Sequence, residues 1–177
     1  MGDGRVLFPP LDNQVPPYPL LSASEAGDTE AALALLDARA DVNQRSEDGW
    51  TPLIMAAKGG HAALVTALIA AGANVNPEDE THSPIRGAAI FGHVHVIRQL
   101  LAAKADPNKY SGGKRTALMG AAMNGHAEVV AVLCAGGANP SLRNDFGEDA
   151  LTLARGREHE ACVQALERAA AAAGANP

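Results

Sequence analysis

Between Thr51 and Asn76 the apolar positions form two short helical sets separated by glycine. Leu53, Ala56 and Ala57 lie three and four residues apart, the spacing of a thin helix face. Gly59-Gly60-His61 interrupts them. Leu64, Val65, Leu68 and Ile69 then recur at i, i+1, i+4 and i+5, one apolar stripe, and Gly72 closes it. Thr51 suits an N-cap, and Pro52 the first helical position, where no N–H is needed. Glycine adopts the left-handed conformation that ends a helix at little cost. The segment predicts helix, turn and helix, with Asn74-Val75-Asn76 leading out.

The same punctuation returns along the chain. Gly60-His61 is followed by Gly92-His93, Gly125-His126 and Glu158-His159, so the histidines step by 32, 33 and 33 residues. Thr51-Pro52-Leu53 is matched in phase by Ser83-Pro84-Ile85, Thr116-Ala117-Leu118 and Asp149-Ala150-Leu151. The pair Ala56-Ala57 is matched by Ala88-Ala89, Ala121-Ala122 and Ala154 alone. A closing marker runs Ala40-Asp41-Val42-Asn43, Ala73-Asn74-Val75-Asn76, Ala105-Asp106-Pro107-Asn108 and Ala138-Asn139-Pro140-Ser141. Such a unit cannot close its own core and must be covered by its neighbours, so Leu100, Leu101, Val132 and Leu133 are expected between repeats.

These motifs resemble the ankyrin-repeat family, whose unit of about 33 residues is a β-turn followed by two helices. The resemblance covers about residues 20–168. It implies an all-α solenoid of helix-turn-helix repeats with β-hairpin fingers. Residues 1–19 form a Pro-rich N-terminal arm, a short linker or an arm folded on the first repeat. The array occupies 20–177, with a degenerate cap unit at 20–43 and repeats at about 44–76, 77–108, 109–141 and 142–177. In the cap, Leu20–Ser24 stands for the first helix and Thr29–Leu36 for the second. The last unit carries Arg155, Arg157, Glu158, Glu160, Glu167 and Arg168, a polar outer face. Gly174-Ala175-Asn176-Pro177 echoes Gly137-Ala138-Asn139-Pro140 after 37 residues, which predicts a last helix one turn longer, either as a worn repeat end or because the chain is a fragment. The finger at Pro77–His82 is one residue short and is expected to differ in shape.

Composition narrows the function. Apolar residues make up 47% but aromatics only 3%, so the core is built from Ala, Leu and Val. A net charge of −6 argues against general nucleic-acid binding, which needs a basic surface. Cys134 and Cys162 lack metal-ligand spacing and read as buried free thiols. No signal peptide, myristoylation pattern or apolar run of membrane-spanning length is visible, so the expected location is cytoplasmic, with the nucleus as alternative.

No catalytic, metal or cofactor site is expected. The histidines recur at the stacking distance, whereas metal ligands converge on one point. Ser111–Thr116 fails the phosphate-loop pattern, with Asn108 in place of the first Gly and Arg115 in place of Ser or Thr. The resemblance implies instead a partner protein held by the finger tips and the concave first-helix face. The slots before Thr-Pro-Leu hold Trp50, His82, Arg115 and Glu148. The exposed first-helix ends hold Lys58-Gly59, Ile90-Phe91, Met123-Asn124 and Gly156-Arg157. The finger tips are Arg45–Asp48, Glu78–Thr81, Tyr110–Lys114 and Arg143–Phe146. All four aromatics of the array, Trp50, Phe91, Tyr110 and Phe146, fall in these places. The candidate partner-binding residues are therefore Trp50, Lys58, His82, Ile90, Phe91, Tyr110, Arg115, Met123, Asn124 and Phe146. Trp50 has a second reading, as cover for the neighbouring turn. The expected protein is a monomeric adaptor, scaffold or inhibitor; the alternative is a regulatory or targeting subunit of an enzyme, or a piece of a larger protein.

Overall fold

A computed structural model describes residues 18–78 and 81–174. Residues 1–17 of the arm expected at 1–19, residues 79–80 of the second finger and residues 175–177 of the final echo lie outside the described residues, and Pro19 already belongs to the first helix. Ten helices follow in pairs: α1 (Pro19–Ala26) with α2 (Thr29–Asp37), α3 (Pro52–Gly59) with α4 (Ala62–Ala70), α5 (Pro84–Ile90) with α6 (Val94–Ala102), α7 (Ala117–Met123) with α8 (Ala127–Ala135), and α9 (Ala150–Gly156) with α10 (Glu160–Gly174). First helices pack on first helices and second on second, which gives a two-layered stack.

The helix starts follow from the Thr-Pro-Leu slot. Thr51, Ser83, Thr116 and Asp149 accept hydrogen bonds from the backbone N–H three residues on, at 3.3, 3.4, 3.3 and 2.8 Å. Each satisfies a donor that the first helical turn leaves unpaired. Burial pushes the Asp149 carboxyl up, but hydrogen bonds from Thr152 and the nearby Arg143 charge outweigh it and hold the group below the usual carboxylate range. The core is a chain of small contacts. Ala56, Ala57, Ala88, Ala89, Ala121 and Ala122 are fully buried, so first helices approach closely. Leu68, Leu100, Leu133 and Leu166 occupy one slot in successive second helices and form a buried row. Each such burial contributes about 1.5–3 kcal/mol. Leu101 and Val132 pack at the edge of this core, half-buried.

Two ladders of polar side chains tie the repeats together. Nε2 of His61, His93, His126 and His159 meets the carbonyls of Glu25, Lys58, Ile90 and Met123, at 3.2, 2.9, 2.9 and 3.1 Å. Each histidine thus satisfies a carbonyl at the C-terminal end of the preceding first helix. The second ladder runs on the closing marker. Asn43, Asn76 and Asn108 each donate from Nδ2 to a carbonyl of the next unit, Gly72, Lys104 and Gly137. Their Oδ1 atoms accept from the backbone N–H of Asn74, Asp106 and Asn139. Ser141 holds the next slot. Asn108→Ala removes two such bonds at an exposed site and should cost about 1–2 kcal/mol in urea unfolding. An unchanged midpoint would show that the ladder contributes nothing.

The fingers are less regular than the hairpins expected. The third closes on an antiparallel bridge, Ser111 N–H to Arg115 C=O at 3.0 Å and the reverse bond at 2.8 Å. The first and fourth carry a single bond each at this point, Ser46 N–H to Trp50 C=O and Asn144 N–H to Glu148 C=O. Among the described residues there is no strand; the first, third and fourth fingers are turns too short for a ladder. The last helix is longer than the other second helices, as expected, but by more than the one turn predicted: 15 residues against nine in α4, α6 and α8. Of the two free thiols, Cys162 is buried as expected, but Cys134 is only half-buried, because it borders an open groove with Ala131, Ala165 and Ala169. Burial pushes both thiols up.

Candidate protein-binding face

The slot before each first helix places one side chain beside its neighbour in the next repeat. Trp50 stacks on His82, with ring centroids 3.7 Å apart and planes 21° from parallel. Its backbone N–H donates to Ser46 Oγ at 3.1 Å, which anchors it to the first finger. Lys58 Nζ, one helix length away on α3, stands 5.1 Å from the Trp50 ring centroid. An exposed cation over indole contributes about 0.5–1 kcal/mol. Trp50, Lys58 and His82 are therefore one cluster spanning two repeats, and Trp50 does cover the neighbouring finger. Phe91 caps α5 and is 51% exposed. It lies over Met55, Lys58 and Gly59 of the preceding first helix, in a shallow cleft of about 220 Å³.

The remaining candidates separate. Ile90 is half-buried, because Gly120 of the next first helix has no side chain and Ile90 fills that space; a Cβ there would lie 3.0 Å from Ile90 Cγ1. Asn124 turns its Nδ2 back onto the Gly120 carbonyl at 2.8 Å. Tyr110 faces a groove between fingers, with Thr81, Lys114 and Asp145. Arg115, Met123 and Phe146 meet at a second cleft, of about 260 Å³, with Arg86, Met119 and Glu148 on its walls. Phe146 is 74% exposed there.

Arg86 is the residue that sequence reasoning missed. It stands in the slot of Ile54 and Met119, which are 1% and 2% exposed. The signal was available as a charge replacing an apolar side chain in one repeat only. Its Nε is buried without a hydrogen-bond partner. Burial, and then the Arg115 charge, lower its pKa from the usual arginine value.

Among the described residues, no three His, Cys, Asp or Glu side chains gather as metal ligands, and no helix is long and apolar enough to cross a membrane.

Paired helices stacked in register, tied by histidine and asparagine ladders, with a variable first-helix face, define a helical repeat solenoid. The family model of ankyrin repeats (3 copies) matches residues 20–111 and 85–174, and the chain belongs to the ankyrin-repeat family. It is 36% identical over 170 residues to human Ankyrin repeat domain-containing protein 63, covering 88% of this chain and 45% of that protein. The mouse protein of the same name is 35% identical over 157 residues, covering 82% and 40%. Dauer abnormal formation protein 25 of Caenorhabditis elegans is 35% identical over 106 residues, covering 59% and 27%. The chain thus spans less than half the length of these relatives. Ankyrin repeats are generally protein–protein interaction modules and typically non-catalytic.

Proposed function

We propose that the chain binds a partner protein through the first-helix face and the fingers, without catalysis, as an adaptor, scaffold or inhibitor. The observation that carries this is the run of exposed or half-exposed large side chains across that face. The Trp50–His82 stack leads to Lys58, then Phe91, then the Phe146 cleft. Trp and Arg are the side chains on which interface energy concentrates, and tyrosine and phenylalanine supply area at small entropic cost. The opposite layer, by contrast, carries the exposed ion pair Arg98–Glu128 beside His95 on α6, an ordinary hydrated surface.

The test compares proteins retained by the wild-type chain with those retained by Trp50→Ala, Phe91→Ala and an opposite-face control, His95→Ala. Folding is checked by circular dichroism. A partner held by this face should lose at least about thirtyfold in affinity with either aromatic variant, and nothing with the control. Equal recovery by all four proteins would sink the reading.

A further inference from the structure

The second cleft differs from the rest of the surface in its charge. The protein as a whole carries −6, yet Arg86, Arg115 and Arg157 line this cleft against the single carboxylate of Glu148. That carboxylate is engaged, since its Oε2 accepts a hydrogen bond from Asn144 Nδ2 at 3.0 Å. Elsewhere Arg98, Lys114, Arg143 and Arg155 have carboxylates at 2.9 to 3.7 Å. Among the described residues neither Arg86 nor Arg115 has one at ion-pair distance. Two neighbouring, half-buried guanidiniums, neither in an ion pair, are an unfavourable arrangement in the free protein. Nothing in the packing requires it, because Ile54 and Met119 fill the same slot in the adjacent repeats.

The chemistry of the walls says what would relieve it. Arg86 lines the cleft while its Nε lies buried and unpartnered, and a guanidinium fork matches a carboxylate in two parallel bonds. Met119, Met123, Phe146 and Leu153 supply an apolar wall next to the charged one. Methionines adapt to varied shapes. Glu148 offsets part of the positive charge, which favours a single negative charge over a doubly charged phosphoryl group.

We propose that this cleft receives an acidic side chain of the partner protein, an Asp or Glu held by Arg86 and Arg115, with an adjacent apolar side chain against Met123 and Phe146. The proposal rests on the partner-binding reading above and makes one part of that face specific.

The experiment is selection of phage-displayed random peptides on the whole chain, followed by titration of the recovered peptide in synthetic form. The expected result is enrichment of Glu or Asp at one register position, next to Leu, Met or Phe. Replacing that Glu by Gln in the peptide should weaken binding about tenfold or more, and Arg86→Met should do the same. Arg86→Met puts into the slot the residue that Met119 already is, and Arg115→His the residue that His82 already is, so both variants are expected to fold. Peptides recovered without an acidic preference, or bound equally by wild type and Arg86→Met, would overturn the proposal. If those peptides still depended on Trp50 and Phe91, the wider binding face would stand. A phosphoserine peptide that bound more tightly than the Glu peptide would assign the cleft to phosphate and also overturn it. Recovery of no peptide at all would count against both the cleft and the wider face.

Discussion

Gly60→Ala is expected to destabilise the protein by about 2–4 kcal/mol, whereas Gly72→Ala should cost no more than about 1–2 kcal/mol. Both glycines have positive φ, +75° and +90°, so both substitutions carry the left-handed backbone penalty. They differ in what the new methyl group meets. At Gly60 a Cβ would stand 2.5 Å from His93 Nδ1, in the ring that bonds the Lys58 carbonyl. At Gly72 nothing lies within 4 Å. The sequence already carries out both controls. Arg39 and Lys104 occupy the Gly72 slot in other units, with φ of 64° and 67°. Glu158 occupies the Gly60 slot in the last unit, with φ of 60°, and among the described residues no histidine ring lies over it. Urea unfolding followed by circular dichroism measures the pair. Equal losses would mean that the glycine is kept for its backbone alone, and that the ring contact constrains nothing.

The second large effect belongs to Leu100→Ala. Leu100 is fully buried in the leucine row, with Leu68 on one side and Leu133 on the other. Truncating a buried leucine typically costs about 2–5 kcal/mol, the loss of transfer energy plus the cavity left behind. In a compact domain that loss would be shared by the whole core. In a linear stack each unit touches only its neighbours, so the damage falls on two interfaces in the middle of the array. The expected result is a lower urea midpoint together with a shallower slope, as the units on either side begin to unfold separately. A midpoint shift with an unchanged slope would show that the stack still unfolds as one.

Much of this architecture was legible because each repeated letter has a local cause. Thr51 and Pro52 act within one turn, so their roles as cap and first helical residue can be read without a neighbour. The histidines were assigned to architecture for the right reason, their spacing. Their partner carbonyls lie 35 or 36 residues away, however, and only the stack brings them together. The candidate face was legible as a set of slots but not as a set of contacts. Ile90 and Asn124 occupy exposed slots by register, yet one fills the space above Gly120 and the other bonds back to its own helix. Arg86 went unremarked because its slot belongs to the core in the flanking units; its environment depends on Arg115, 29 positions later in the chain, which only packing places beside it.

The histidine ladder has a consequence for how such a face can change. The residues whose carbonyls accept the rings are Lys58, Ile90 and Met123, the same positions that end the first helices on the candidate face. What the neighbouring repeat reads at these positions is the main chain, which every amino acid supplies alike. The side chain is left out of that contract. A lysine, an isoleucine and a methionine hold the same post with bonds of nearly equal length. Mutation can therefore rewrite the chemistry shown to a partner, repeat by repeat, while the joint beneath stays the same.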